Sequence, residues 1–485
     1  MSDLNHKVKS IKYNFLMNSL NKIVPMLIQL ITFPYVSRVL LSEGVGKVNY
    51  VLSIISYFQL FAAFGIVAYA IAEGAKIRDD NVKLNKFSTE IFALNLATSL
   101  IALIAYVVLC SFSVFDNYRG LLAIGSLLIV ESTFSVTWVF NIVEDYTHIT
   151  IRNLVLRILS TLAIFIFIKS PDDVNKYMLI SAMQTVFGCA INFIYSRKYV
   201  LFFSEKIDKT LFRHIRPMTT IFLLDIFNSI FLNIDVTMLG YMKGDHDVGI
   251  YSNAVKISKI ICSFISVLST VLMPRIAYYI KKGYNEKYEE MICYALNFMT
   301  LISFPAIIGF ILYSKEIILI SCGNGFTDSI PVARLLALTL FFMPVNGFVA
   351  WQVFIPYHKE TLSMVISLIG AILNIVLNAI LIPLHTYNAA AFTTILSEFI
   401  VFLLLVYYSK NIIRWTNVIK LWWQYGLACI SIVLVWVGYK VFLNNINMLV
   451  AFLIAVIISI GSYFSILLLL KNPYIMNEFN KVIKR

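Results

Sequence analysis

The first apolar segment of the chain carries polar side chains at helical spacing. Six residues recur every three or four positions and so share one face of an α-helix: Asn14, Asn18, Asn21, Pro25, Gln29 and Thr32. Amide groups in an apolar environment must find hydrogen-bonding partners, so this face is expected to line the protein interior or a water-filled cavity. Asn18, Asn21 and Gln29 are therefore candidates for binding a polar substrate. The alternative is that they only join helices by hydrogen bonds.

Carboxylates also occur inside apolar segments. They are Asp225, Asp235, Glu131 and Glu398. A carboxylate in the middle of a membrane helix costs about 2.5–3.5 kcal/mol, so its presence indicates a role. Coupling of transport to a cation or proton is one interpretation. The other is a fixed salt bridge to a lysine.

Two lysines, Lys256 and Lys259, stand three residues apart and share a helix face. Ammonium groups within an apolar segment need an anion, and a substrate phosphate would satisfy both. They could instead pair with Asp225 or Asp235, or extend toward the membrane surface.

The six cysteines predict no metal site, disulfide framework or catalytic thiol. They show no CxxC spacing, and five of them lie inside apolar segments, where cysteine behaves as a small buried hydrophobe. No cofactor is predicted either.

Composition defines the elements that position these groups. The 485 residues are 60% apolar and 13% charged, and the mean hydropathy is +0.82. Ordinary soluble domains have roughly 25% charged residues. The apolar runs are continuous over about 20 residues and do not alternate with period two, so the sequence predicts an all-α polytopic membrane protein and not a barrel.

Fourteen segments are predicted to span the membrane, as two lobes of six helices and a final pair. The fifth is the weakest because it is short and carries Arg157. The predicted segments are 15–37, 45–70, 88–110, 120–143, 153–168, 177–195, 218–240, 248–273, 291–313, 332–354, 361–384, 387–408, 421–442 and 448–470. The corresponding domains are an N-terminus 1–14, a lobe 15–196, a linker 197–217, a lobe 218–408, a helix pair 409–470 and a tail 471–485.

The net charge of +13 is distributed in short loops and not on a folded polar surface, which argues against nucleic-acid binding. One set of alternate loops holds 26 Lys and Arg residues and the opposite set holds five. Because basic short loops are retained in the cytoplasm, both termini are predicted to be cytoplasmic in a multi-pass protein of the inner membrane.

No predicted loop exceeds about 20 residues, which is too short for a soluble catalytic domain. The chain is therefore predicted to be a transporter and not an enzyme. A membrane-embedded glycan polymerase would need acid–base residues on a long external loop, and none is found.

Four motifs resemble a known family. Residues 38–46 read RVLLSEGVG, 251–256 YSNAVK, 370–383 GAILNIVLNAILIP and 388–398 NAAAFTTILSE. Their order and spacing resemble the Wzx-type polysaccharide flippases of the MOP (MATE-like) exporter superfamily. The likeness extends over nearly the whole chain.

The resemblance implies alternating-access export of an oligosaccharide on undecaprenyl diphosphate for capsule, O-antigen or a similar polymer, with association with the polymerase as a possible partner interaction. It assigns diphosphate binding to Lys256, while Lys22 and Arg38 match the family's other basic residues poorly. A cation-coupled drug or metabolite antiporter of the same superfamily is the alternative.

Overall fold

The computed structural model describes residues 11–204, 206, 208–442 and 446–476, and these residues form helices without a strand. The helices are α1 Ile11–Ala63, α2 Ile66–Gly74, α3 Asn81–Cys110, α4 Arg119–Phe134, α5 Thr137–Ile142, α6 Tyr146–Phe167, α7 Val174–Ser196, α8 Ile215–Lys243, α9 Asp245–Lys281, α10 Asn285–Leu312, α11 Ser314–Ser321, α12 Ser329–Leu336, α13 Thr339–Phe348, α14 Glu360–Ser409, α15 Trp415–Ile419, α16 Trp422–Phe442 and α17 Met448–Leu469. This confirms the predicted all-α class.

Within the described residues, ten helices are long and apolar enough to cross a membrane, or twelve if two bent helix pairs each count as one span. Fourteen were predicted. The difference arises because α1 and α14 each contain two predicted spans and are counted once. The number of membrane crossings stays a prediction.

Helix α14 turns back on itself at Thr386, whose φ of 50° is outside the helical range. Thr393 donates a hydrogen bond to Asn378 over 2.5 Å. In a straight helix, these two residues would lie about 22 Å apart, at 1.5 Å per residue. The element is therefore a helical hairpin.

Helix α1 is interrupted in the same way at Leu41, where φ is 58°. Its first half runs alongside α6, since Thr150 bonds to the Met17 carbonyl and Tyr35 to the Ile168 carbonyl. Its second half follows α4, since Gln59 bonds to the Leu128 carbonyl. The backbone remains helical at Pro25 and Pro34, so the break lies at neither proline.

The weakest predicted span, 153–168, is a helix. It begins earlier than predicted, at Tyr146, after Asp145 accepts a hydrogen bond from the His148 amide. A side-chain acceptor at this position satisfies a backbone N–H that the first helical turn leaves unpaired. The resulting 22-residue α6 passes the length and hydropathy requirements for a span.

The chain divides into two compact units, Met1–Gly240 and Tyr241–Arg485. This division falls near the end of α8, so most of the seventh predicted span groups with the first unit. Gly65 permits that packing: its φ is 71°, and a Cβ there would lie 2.6 Å from the Met218 carbonyl oxygen of α8. The predicted lobe boundaries at 196 and 218 stay predictions.

In the first unit, hydrogen bonds connect the segment predicted as a linker to α3. The backbone amides of Leu201 and Phe203 donate to the side chains of Asn85 and Thr89. Further along, His214 lies 2.8 Å from the buried carboxylate of Glu90. Because backbone and side-chain groups are both engaged, the described residues of this segment pack as part of the first unit.

In the second unit, the final helix pair packs on α10. Tyr463 of α17 donates to the Leu301 carbonyl over 2.9 Å, and buried apolar residues of α10, α16 and α17 form a shared core. Lys440 of α16 pairs with Glu316 of α11 at 2.7 Å. The pair therefore has a packing role in this unit.

Candidate functional site

A polar cavity of about 240 Å³ lies between α1, α4, α6 and α7 of the first unit. Three charged side chains, Glu131, Arg152 and Arg157, line it together with uncharged polar residues. The uncharged lining comprises Ser135, Thr137, Asn153, Gln184, Thr185 and Asn192, among others. A membrane protein tolerates such groups at depth when they face an internal cavity. We call it the α1–α7 cavity.

Arg152 and Asn153 organise one wall of this cavity. The Arg152 guanidinium donates to Asn153 Oδ1 over 2.6 Å and to the Gly188 carbonyl over 3.3 Å. Asn153 Nδ2 in turn donates to Asn21 Oδ1 over 2.8 Å. The predicted polar face of the first segment is thus joined to α6 at Asn21, which supports the packing interpretation of that residue.

Glu131 lines the same cavity from α4. Among the described side chains, none forms a hydrogen bond or a 4 Å ion pair with its carboxylate, although the Arg152 charge acts on it electrostatically. Nearby amides are instead engaged elsewhere: Ser160 donates to Gln184, and Asn192 donates to the Ser135 carbonyl. Glu131 is therefore the carboxylate that could exchange a proton or hold a cation here.

Apart from Glu131, the predicted site residues of the first unit whose side chains the structure describes, Asn21 included, do not line the α1–α7 cavity. Gln29 is half-buried, Arg38 is exposed, and the side chains of Asn18 and Lys22 lie outside the described part of the structure. On α8, Asp225 is exposed whereas Asp235 is 5% exposed. The structure thus brings Glu131 and, through its bond to Asn153, Asn21 to one region.

In the second unit, the predicted lysines lie half-buried on α9. Farther along this helix, Cys262 is within electrostatic range of both Lys259 and Glu398. Glu398 is 4% exposed and accepts a hydrogen bond from Asn346 over 2.6 Å. One predicted basic residue and one predicted acidic residue therefore lie in the same part of this unit.

A cluster of uncharged polar groups joins α9 to both halves of α14. Asn378 donates to Asn374 over 3.0 Å and accepts from Thr393, while the Tyr251 and Thr394 hydroxyls lie 3.1 Å apart. All five residues are buried. These polar residues thus form hydrogen bonds between helices in the structure.

Four residues that line the α1–α7 cavity were not predicted as substrate-binding residues: Arg152, Asn153, Gln184 and Asn192. Arg152 was assigned to a loop because the fifth helix was predicted to begin at 153. The helix begins at Tyr146, so Arg152 lies in its second turn. The signal that could have identified the cavity was a second set of polar residues, including Arg157 and Gln184, in consecutive apolar segments.

Within the described residues, no group of three His, Cys, Asp or Glu side chains could hold a metal ion. Besides the Glu131 carboxylate, the lining of the α1–α7 cavity contains amide, hydroxyl and guanidinium groups. Such groups bind hydroxyls and anions by directed hydrogen bonds.

Two protein families match the chain. The family described as "Polysaccharide biosynthesis protein" matches residues 11–280, and the MatE family matches residues 221–380. Among curated proteins, the chain is 22% identical to a capsular polysaccharide biosynthesis protein, CapF, of Staphylococcus aureus, over 84% of this chain and the whole relative. It is 21% identical to a putative O-antigen transporter of Escherichia coli K12, over 79% of this chain and 93% of that protein.

Solved structures share the fold. The lipid II flippase MurJ in an inward closed conformation aligns with a TM-score of 0.75 and 15% identity, covering 97% of this chain and all of MurJ. An inward-facing multidrug resistance MATE transporter of the MOP superfamily aligns with a TM-score of 0.62 and 12% identity, covering 82% of this chain and 98% of the transporter. These similarities confirm the MATE-like polytopic fold.

Proposed function

Since the chain belongs to the family of polysaccharide biosynthesis proteins, we propose that it is a flippase for a lipid-linked oligosaccharide. It would move the repeat unit, carried on undecaprenyl diphosphate, from the inner to the outer leaflet of the cytoplasmic membrane. The product would serve capsule, O-antigen or similar polymer synthesis. The observation that carries this proposal is the family match over 11–280, and the alignment with a lipid II flippase over 97% of the chain supports it.

The physical task fits a polar cavity in a helical membrane protein. A diphosphate bearing sugars cannot cross about 30 Å of hydrocarbon unaided, because its charges and hydroxyls would lose their hydration. Amide, hydroxyl and basic side chains can replace water along the path. The lipid tail can remain in the bilayer while the protein alternates between inward and outward access.

Lys256 is the proposed diphosphate ligand, with Lys259 beside it on α9. Both are half-buried, so an anion bound to them would be less screened than at an exposed site. Lys22 and Arg38 would add positive charge in the first unit. Asn18 and Gln29 are proposed to bind sugar hydroxyls. Asn21 is proposed to do so through its side-chain nitrogen, since its oxygen accepts from Asn153.

Four carboxylates, Asp225, Asp235, Glu131 and Glu398, are proposed to couple transport to a cation or proton. Glu131 has the best structural support because it lines a cavity without a described ion-pair partner. The hydrogen bonds from Asn346 make Glu398 a more constrained candidate.

The alternative is a cation-coupled drug or metabolite antiporter. The alignments with multidrug transporters favour it, but the one with a TM-score of 0.62 covers less of this chain than the flippase alignment does.

The flippase proposal also includes cytoplasmic placement of both termini and association with the polymerase machinery.

Cells lacking the protein provide the first test. We expect a complete lipid-linked repeat unit to accumulate on the cytoplasmic leaflet while surface polymer falls, and the wild-type chain to reverse both effects. An unchanged lipid pool with altered sensitivity to cationic drugs would contradict the flippase and support the antiporter.

Lys256→Ala tests the assigned diphosphate ligand. Loss of a charge-assisted hydrogen bond is worth about 1.5–3 kcal/mol, so export per folded molecule should fall by about 10- to 100-fold. Lys282→Ala is the matched control, because Lys282 is an exposed lysine just after the end of the same helix. Export in Lys256→Ala equal to that of the control would remove Lys256 from the site.

A further inference from the structure

A second and larger cavity, of about 580 Å³, lies between α6 and α7 in the first unit. Its polar end is formed by the α5–α6 connection and by the residues that follow α7. It shares Arg152 and Leu156 with the α1–α7 cavity. We call it the α6–α7 cavity, and the proposed transport site does not use it.

The two acidic residues in the lining are already engaged. Glu144 accepts from Arg78 Nη1 over 2.8 Å, and Asp145 accepts from the Tyr199 hydroxyl over 2.7 Å. Burial, together with the adjacent Asp145 carboxylate, raises the pKa of Tyr199, so this hydroxyl remains a neutral donor. The Arg78 guanidinium therefore balances the charge of Glu144, whereas Asp145 keeps its negative charge at this end of the cavity.

The basic residues, Arg152 and Lys198, lack such partners. Among the described side chains, no carboxylate lies within 4 Å of either group. Arg152 donates to neutral oxygens of Asn153 and Gly188. The Lys198 ammonium lies 5.4 Å from the ring centre of Tyr195 and 5.2 Å from that of Tyr199, distances typical of cation–π contacts. Neutral groups thus hold two cations in the cavity lining, and their two positive charges exceed the single negative charge of Asp145.

The other walls are apolar and open to the outer surface of the helices. Ile151, Val155 and Ile191 line the cavity, and their side chains are 54%, 49% and 41% exposed. The exposed apolar face continues along α6 through Ile158 and Leu162. Since α6 and α7 belong to candidate membrane spans, this face is expected to contact acyl chains.

We propose that the α6–α7 cavity binds an anionic phospholipid, of which phosphatidylglycerol is the simplest example. The phosphate would lie between Lys198 and Arg152, and one acyl chain would follow Ile151 and Val155. A basic end at the membrane surface joined to an apolar wall is complementary to a charged headgroup with its tails. The volume falls within the roughly 300–1,000 Å³ that ligand cavities usually have.

Lipid titration of the purified full chain tests this assignment. Mixed micelles containing phosphatidylglycerol should bind more tightly than those containing phosphatidylcholine. Lys198→Gln removes a charge-assisted hydrogen bond to the phosphate, so phosphatidylglycerol binding should weaken by about tenfold. Lys198 is exposed, so the substitution should leave the fold intact.

Arg197→Gln is the matched control, since Arg197 is the adjacent exposed cation and does not line the cavity. Its binding of phosphatidylglycerol should equal that of the wild type. Equal losses in the two variants, or equal binding of both lipids, would overturn the proposal. Displacement of the lipid by glycerol phosphate at similar concentration would identify a soluble phosphate as the ligand and would also overturn it.

Discussion

The two units accommodate buried polar groups differently, around a cavity in the first and by mutual hydrogen bonds in the second. In the first unit, charged residues of α4 and α6 surround a cavity, and the Glu131 carboxylate has no described ion-pair partner. In the second unit, the amides of Asn374 and Asn378 are hydrogen-bonded to each other and are at most 1% exposed. Open polar groups can bind a ligand, whereas mutually satisfied groups hold helices together. The comparison predicts function for the first region and stability for the second.

Of the substitutions in these two regions, Glu131→Gln should have the largest effect on transport. The change keeps the shape of the side chain but removes its charge and the proton that it could exchange, so export should fall on the order of tenfold. Because no described ion pair is lost, the unfolding temperature should stay the same. Asp116→Asn, in an exposed pair with Arg119, is the control. Normal export with its usual ion dependence in Glu131→Gln would show that the cavity is structural.

Asn378→Ala should lower the stability of the protein and leave transport nearly unchanged. Asn374 loses its hydrogen-bond donor, and Thr393 keeps only its bond to the Ala390 carbonyl. The free energy of unfolding should therefore fall by about 1–2 kcal/mol. Transport per folded molecule should change little. Thermal unfolding in detergent measures the loss, with Asn411→Ala at an exposed position as the control. A transport defect without destabilisation would place this cluster in the functional machinery.

Lys86→Ala should have the smallest effect. Lys86 of α3 pairs with Asp208 of the linker at 2.9 Å, but both groups are exposed, and exposed ion pairs contribute little to stability. We expect no measurable shift in the unfolding temperature. Glu90, 1% exposed and hydrogen-bonded to Thr210 and His214, provides the contrast in the same region. A large fall in the unfolding temperature of Lys86→Ala would mean that exposed ion pairs stabilise the packing of this segment on α3.

The polar face of the first segment shows what sequence periodicity can predict, the inward side of a helix, and what it cannot, the partner residue. Spacing predicted that Asn21 lies on an inward face, and the structure joins it to Asn153. Spacing could not identify Asn153 as the partner, because the two residues are 132 positions apart. The pairing depends on α1 running alongside α6, which no local pattern encodes.

Breaks within α1 and α14 explain the difference in helix number. Apolar runs on either side of Leu41 and Thr386 were predicted as separate spans, and the structure retains a continuous helical element with one non-helical residue in each. Hydropathy detects the apolar length but not the single backbone rotation that reverses direction. For α14, the contact between Asn378 and Thr393 establishes the reversal.

The sequence by itself determined the all-α membrane class, the apolar segments and the polar residues that had to be accommodated within them. These follow from the cost of exposing backbone and charge to hydrocarbon, which acts on each segment separately. Tertiary structure alone decided which polar groups meet. It left Glu131 and Arg152 around a cavity and joined Asn374, Asn378 and Thr393, because packing brings distant helix faces together and determines which hydrogen bonds can close.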